Sequence, residues 1–231
     1  MSGIPDRLQA VENAIVAACR EAGRAPGSVQ LLAVSKTFGP DAVLAAVEAG
    51  QHAFGENYVQ EGVDKIAALA GRGLAWHFIG PIQSNKTRPI AGHFDWVHTV
   101  EREKIAVRLS EQRPEALGPL NVCVQVNISG EASKSGAAPG EVAALAEAVT
   151  RLPNLRLRGL MAIPEPVEDF AAQRAAFAAV REIFETLRGR FGPDFDTLSM
   201  GMSADLRAAI LEGATIVRVG SAIFGSRTYD K

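Results

Sequence analysis

Leu8, Val11, Ile15 and Cys19 recur at spacings of three and four, which draws one apolar stripe along a helix from about Asp6 to Ala22. Beyond it the pattern changes to short apolar runs, each followed by an alanine-rich stretch of helical period. Gln30–Lys36 precedes Asp41–Ala49, and His52–Gly55 precedes Val59–Leu69. Leu74–Ile79 leads to a short helix near Asn85–Ile90, and Trp96–Val100 leads to Arg102–Glu111. Asn121–Asn127 is strongly β-branched and precedes Glu141–Arg151. Leu155–Met161 precedes Phe170–Arg188, Thr197–Met200 precedes Ala204–Glu212, and Thr215–Val219 runs into a final turn at Ala222–Phe224. His52–Gly55 and Trp96–Val100 carry the weakest strand signal.

Strands that alternate with helices pair in parallel through right-handed crossovers. Eight such units in 231 residues predict an α/β fold, a single (β/α)8 TIM-type barrel with an additional N-terminal helix. The competing architecture is an open doubly wound sheet in which the weaker strands are loops. No linker rich in Pro, Gly or Ser divides the chain, so residues 1–231 are expected to form one domain.

The hydrophobic fraction of 47% and mean hydropathy of +0.07 supply a core and argue against global disorder. A net charge of −2 argues against a nucleic-acid or anionic-membrane surface over the whole protein. The opening MSGIPDRLQAVENAIV has no apolar signal region, and no apolar stretch is long enough to span a bilayer. Cys19 and Cys123 belong to no CxxC pair and suit a reducing compartment, so a cytoplasmic location is expected.

In a barrel the chemistry sits on the loops that follow the strands. Lys36 closes the run Leu31-Leu32-Ala33-Val34-Ser35 just before the turn at Gly39-Pro40. Desolvation there favours the neutral amine, a nucleophile toward carbonyls, whereas an ordinary strand-end lysine reaches solvent. Gly55-Glu56-Asn57-Tyr58 follows the second strand, Gly80 to Lys86 the third, and Asn127, Glu131, Lys134 and Gly136 the fifth. Ser199 to Ser203 follow the seventh and Gly220-Ser221 the eighth. Ser203 reads as a helix N-cap with Asp205 in the first turn, and Gly220-Ser221 opens a second helical turn. Two helix starts after strands seven and eight form a phosphate site in many barrels, although capping and tight turns use the same residues. An Asp205 carboxylate facing a phosphate would repel it and is expected to point away.

Alternation puts Ile216, Arg218 and Gly220 on the inner face of the last strand. A buried guanidinium needs acceptors, which a carboxylate such as Glu56 would provide in a purely structural role. The other use is a hydrogen bond to a cofactor ring nitrogen. His52, His77, His93 and His98 show no metal spacing, and the chain has no GxGxxG, GxxxxGK[ST] or GxSxG motif.

LLAVSKT at Leu31–Thr37, FGENYVQE at Phe54–Glu61, WHFIGPIQSNK at Trp76–Lys86 and VNISGEASKSG at Val126–Gly136 resemble the pyridoxal-phosphate homeostasis protein family. RLRGLMAIP at Arg156–Pro164, LSMGMSADL at Leu198–Leu206 and VRVGSAIFG at Val217–Gly225 extend the resemblance over nearly the whole chain. Pro81 departs from it, where the family more often carries a polar or aromatic residue. The resemblance implies a fold similar to the barrel domain of bacterial alanine racemases and pyridoxal 5′-phosphate as cofactor. Lys36 looks like the Schiff-base lysine and Arg218 like the arginine at the pyridine nitrogen. Ser203, Gly220 and Ser221 match the phosphate-holding positions, and Asn57 lies near the ring. It further implies a monomeric cofactor-handling protein without defined turnover, which buffers the cofactor or delivers it to apoenzymes and affects amino-acid and keto-acid balance. The alternatives are a weak amino-acid racemase, for which only Tyr58 and Tyr229 are available as tyrosines, and an aldolase-like Schiff-base barrel without cofactor.

Overall fold

The computed structural model, which describes residues 3–130 and 135–225, closes eight parallel strands into a barrel in chain order. The strands are β1 (Gln30–Val34), β2 (Ala53–Glu56), β3 (Ala75–Phe78), β4 (Trp96–Val100), β5 (Leu120–Val126), β6 (Leu155–Ala162), β7 (Thr197–Ser199) and β8 (Ile216–Val219). Around them run α1 (Ile4–Glu21), α2 (Pro40–Glu48), α3 (Val59–Ala68), α4 (Thr87–His93), α5 (Glu103–Gln112), α6 (Val142–Thr150), α7 (Phe170–Phe191), α8 (Leu206–Leu211) and α9 (Ser221–Phe224). Both weakly signalled strands form: β2 pairs with β1 and β3, and β4 with β3 and β5. Among the described residues no helix is long and apolar enough to cross a membrane.

Closure joins the first strand to the last, with Gln30 beside Ile216 and Ala33 beside Val219. The outward residues Ala33, Phe54, Phe78, Val97, Val122, Leu160, Leu198 and Val217 pack into the helix layer and form the main core. The N-terminal α1 packs on α2, α8 and α9 and buttresses the last two units. Arg7 Nε donates to the Ile223 carbonyl at 2.6 Å, and Arg24 Nη1 to the Ala214 carbonyl at 2.7 Å. Arg207 pairs with Glu21 at 2.7 Å.

The barrel interior is divided. Leu32, Val34, Ala53, Ile79 and Ile216 form a small apolar cluster on the β1, β2, β3 and β8 side. Opposite them lies a polar column. At its base Arg158 forks onto the Asp196 carboxylate at 2.7 and 2.9 Å and sits 4.8 Å over the Trp96 ring. Trp96 stacks on His77 at 5.3 Å, His77 Nδ1 meets His98 Nε2 at 2.9 Å, and His98 Nδ1 meets Ser199 Oγ at 2.8 Å. Both histidines are buried, and His77 Nε2 has no hydrogen-bond partner. Burial pushes His77 down to about 3, and pushes His98 well below its ordinary value with the help of His77 and Arg218, so both are neutral at pH 7. Cys123 lies in the same interior, its thiol pushed by burial up to about 12.

Gly159 fixes the β5–β6–β7 register. The pairing slips by one residue between Val122 and Cys123, and a side chain on Gly159 would start 1.7 Å from the Thr197 carbonyl oxygen. Gly159→Ala is expected to cost about 4 kcal/mol by forcing the strands apart, read as a drop in the denaturant midpoint. A wild-type midpoint in that variant would contradict the packing. The histidines set a pH dependence. Below about pH 6.5 the unfolded chain binds protons that folded His77 does not accept until about pH 3, so stability falls as pH falls. A His77→Gln variant should therefore lose about 2 kcal/mol less than wild type between pH 7 and pH 5, measured by urea unfolding. Parallel pH profiles would refute the buried neutral ring.

Candidate functional site

At the C-terminal mouth of the barrel a cavity of about 430 Å³ is lined by Lys36, Asn57, Ser203, Arg218, Gly220 and Ser221. These are the six residues that the family resemblance points to. Thr37 and Gly225 also line it, and Val34, Phe38, Ile79, Ile163, Met202 and Ala204 complete its walls.

Lys36 reaches the cavity because it continues the inward parity of Leu32 and Val34. It is half-buried rather than sealed from solvent. The chain turns immediately after it, with the Phe38 N–H donating to the Ser35 carbonyl at 3.1 Å. Thr37 at the third position of that turn has φ 71, the only positive φ of a non-glycine among the described residues. A β-branched residue there costs about 1–3 kcal/mol unless its surroundings hold it. Here the Thr37 N–H donates to Glu61 Oε1 at 2.5 Å. Glu61 in turn accepts from Lys65 Nζ at 2.6 Å, and the same ammonium donates to Glu56 Oε1 and to the Ser35 carbonyl, each at 2.7 Å. Ser35 Oγ also donates to Glu56 Oε1 at 2.6 Å. Burial pushes the Glu56 carboxyl up, while the Lys65 and Ser35 hydrogen bonds pull it back. The i,i+4 spacing of Glu61 and Lys65 on α3 was the sequence signal for this cluster, but it does not reveal that both face the strand ends.

Arg218 points into the barrel and is buried, as its parity predicts. Glu56 is not its partner. Glu56 has the opposite parity on β2 and faces α3, where Lys65 takes it. Arg218 instead donates through Nη1 to Ser199 Oγ at 2.9 Å and through Nη2 to the Ala162 carbonyl at 3.0 Å, which caps the histidine column. Burial pushes the guanidinium down to about 10, partly offset by Asp205 and Cys123, so it stays cationic at pH 7.

Ser203 is not a helix N-cap. Asp205 occupies the residue before α8, with φ −130 and ψ 9, and Ser203 lies exposed in the preceding turn. Asp205 Oδ1 accepts from the Met202 N–H at 2.6 Å, so the carboxylate is held on its own turn. Across the mouth, Gly220 precedes α9, and a side chain on it would start 3.0 Å from the Val34 carbonyl oxygen. The N–H groups of Ser203, Ala204 and Ser221 have no acceptor within the protein among the described residues. Two turns thus offer amide donors to one cavity.

Asn57 is held by its backbone. A side chain on Gly80 would start 2.1 Å from the Asn57 carbonyl oxygen, and Thr99 Oγ1 donates to the Gly80 carbonyl at 2.6 Å. Asn57 Oδ1 is buried without a partner, a group that a ligand donor would satisfy. Tyr58, Pro81, Gln83 and Lys86 line a neighbouring groove instead. Asn127 Oδ1 accepts from Ser129 Oγ and the Gly130 N–H within its own loop, and the Gly136 N–H donates to Glu101. Glu131, Lys134 and Tyr229 lie outside the described residues. No cluster of His, Cys, Asp and Glu among the described residues is arranged to hold a metal ion, and His52 and His93 are exposed.

The family profile described as alanine racemase, N-terminal domain, matches residues 7–228. A pyridoxal phosphate homeostasis protein of Pseudomonas aeruginosa is 62% identical, over 99% of this chain and 98% of its own. One from Vibrio cholerae is 57% identical, over 100% and 99%. PipY of Synechococcus elongatus, solved with pyridoxal phosphate bound, is 36% identical and superimposes with a TM-score of 0.82, covering 96% of this chain and 100% of that one. By sequence and fold, the chain belongs to the pyridoxal phosphate homeostasis protein family.

Proposed function

We propose that this protein binds pyridoxal 5′-phosphate in the 430 Å³ cavity, held as a Schiff base on Lys36, and that it buffers the cofactor or delivers it to apoenzymes. The observation that carries this reading is the convergence of an amine, a fixed cation, two amide-bearing turns and an orphaned amide oxygen on one cavity. The names of the relatives and the pyridoxal phosphate bound to PipY support the same assignment.

The cofactor would supply an aldehyde, the electrophile that a neutral amine meets. Lys36 Nζ is the amine. The Ser203–Ala204 turn and the Gly220–Ser221 turn hold the phosphate through backbone N–H groups and the two hydroxyls. Arg218, a donor only, would hydrogen-bond the lone pair of a pyridine nitrogen and disfavour its protonation. Such a ring would withdraw electrons weakly, which weakens the case for transamination or elimination. Asn57 Oδ1 accepts from a ring substituent. Tyr58 is half-exposed and lines the neighbouring groove rather than the cavity, so among the described residues no tyrosine stands at the cavity as a second acid–base group for a racemase reading. Residues 1–231 then act as one cofactor-binding domain, in the cytoplasm, as a monomer that needs neither nucleic acid nor membrane. Amino-acid and keto-acid balance would respond through the enzymes supplied.

Borohydride reduction of protein incubated with pyridoxal phosphate should add one phosphopyridoxyl group, mapped to Lys36. Lys36→Ala should lose the visible absorbance and the adduct while retaining weaker reversible binding. An adduct on another lysine, or an unchanged spectrum in Lys36→Ala, would overturn the assignment. Mixing the loaded protein with an apoenzyme tests delivery, which fails if activity returns no faster than with an equal concentration of free cofactor.

A further inference from the structure

We propose that Glu61 is a positioning residue for Lys36: through the Glu56–Lys65–Glu61 ladder it fixes the backbone on both sides of the lysine and aims the amine into the cavity. This rests on the reading of Lys36 as the Schiff-base residue.

An ammonium has three N–H donors, and Lys65 has a short contact for each: the Ser35 carbonyl, Glu56 and Glu61. The first of these acceptors belongs to the peptide unit that precedes Lys36. The peptide unit that follows Lys36 ends on the same ladder, because the Thr37 N–H donates to Glu61 Oε1. Both backbone torsions of Lys36 are therefore tied to one buried cation, itself 2% exposed. Strand β1 supplies the inward direction, and the ladder stops the chain from twisting out of it.

Thr37 shows that this is more than helix docking. A turn with positive φ at its third position forms readily with glycine and needs no clamp. Threonine resists that conformation, so its N–H is held by a carboxylate instead. A glycine would permit several turn geometries, whereas the clamped threonine permits one. Helix α3 has an independent seat, with Gly62 so close to Phe94 that an added side chain would start 2.6 Å from the ring. The Glu61 side chain is 28% exposed, so its removal lets water reach Lys65 without leaving a sealed orphan charge.

The test separates aim from pocket integrity. Pyridoxamine 5′-phosphate has the ring and phosphate but an amine in place of the aldehyde, so its dissociation constant reports the pocket alone. The rate and extent of visible imine absorbance with pyridoxal phosphate report the lysine as well. Glu61→Ala should keep pyridoxamine phosphate affinity within about twofold and slow imine formation about tenfold, the worth of one charge-assisted hydrogen bond. Glu61→Gln, which retains an oxygen for the Thr37 N–H, should recover part of the rate. Thr37→Gly added to Glu61→Ala should recover part as well, because the turn then no longer needs holding. If Glu61→Ala does not fold by circular dichroism, the Gln variant carries the same comparison. Imine formation at the wild-type rate, or an equal loss of affinity for both ligands, overturns the positioning role. A wild-type protein that traps no adduct on Lys36 removes the underlying reading and this inference together, whereas a normal wild-type adduct with an unaltered variant rate removes this inference alone.

Discussion

The parallel ladder between β1 and β8 is the contact on which everything at the mouth depends. It brings residues near the start of the chain beside residues near its end, so Lys36 and Asn57 face Arg218, Gly220 and Ser203 across a single seam. Gly220 lets the seam close tightly, since an added side chain would start only 3.0 Å from the Val34 carbonyl oxygen and push it back. Helix α1 supports the same region from outside through Arg7, Arg24 and Glu21, which tie it to the last two units. An open sheet with the same strands would leave the amine and the amide-bearing turns on opposite edges.

Two buried cations organise the space around the seam in different ways. Lys65 stands outside the strands with short contacts to three acceptors, and acts on backbone geometry. Arg218 stands inside with two of its donors engaged, and acts on the electrostatics of the cavity. The neutral histidine column beneath Arg218 adds no competing charge, because burial holds both rings deprotonated. A site built this way has a fixed positive group near its floor and leaves the polarity of its walls to backbone amides.

Much of this was legible in the chain. Period-two alternation placed Arg218 inside, the end of a short apolar run placed Lys36 at the mouth, and turn residues marked its loops, because all three signals are local. The two faint strands were harder: β2 is four residues long, and the pairing of β4 with β5 is irregular between Val97 and Val100. Ser203 misled because a serine before an apolar helix looks like a cap, whereas Asp205 folds back on Met202 and delays the helix to Leu206. Glu56 misled as a partner for Arg218 although the alternation that turned the arginine inward turns Glu56 outward. The Lys65 ladder and the His77–His98–Ser199 column were not legible, since each joins residues from separate units whose meeting depends on barrel closure.

The interior position of Cys123 bears on the aldehyde proposed for the cavity. Thiols add to aldehydes and are oxidised chiefly as thiolates, and a group whose ionisation is pushed to about 12 is almost wholly protonated in neutral solution. Cys19 is likewise buried and free. An aldehyde bound there as proposed would meet the primary amine at the mouth without a hemithioacetal of either buried thiol competing for it.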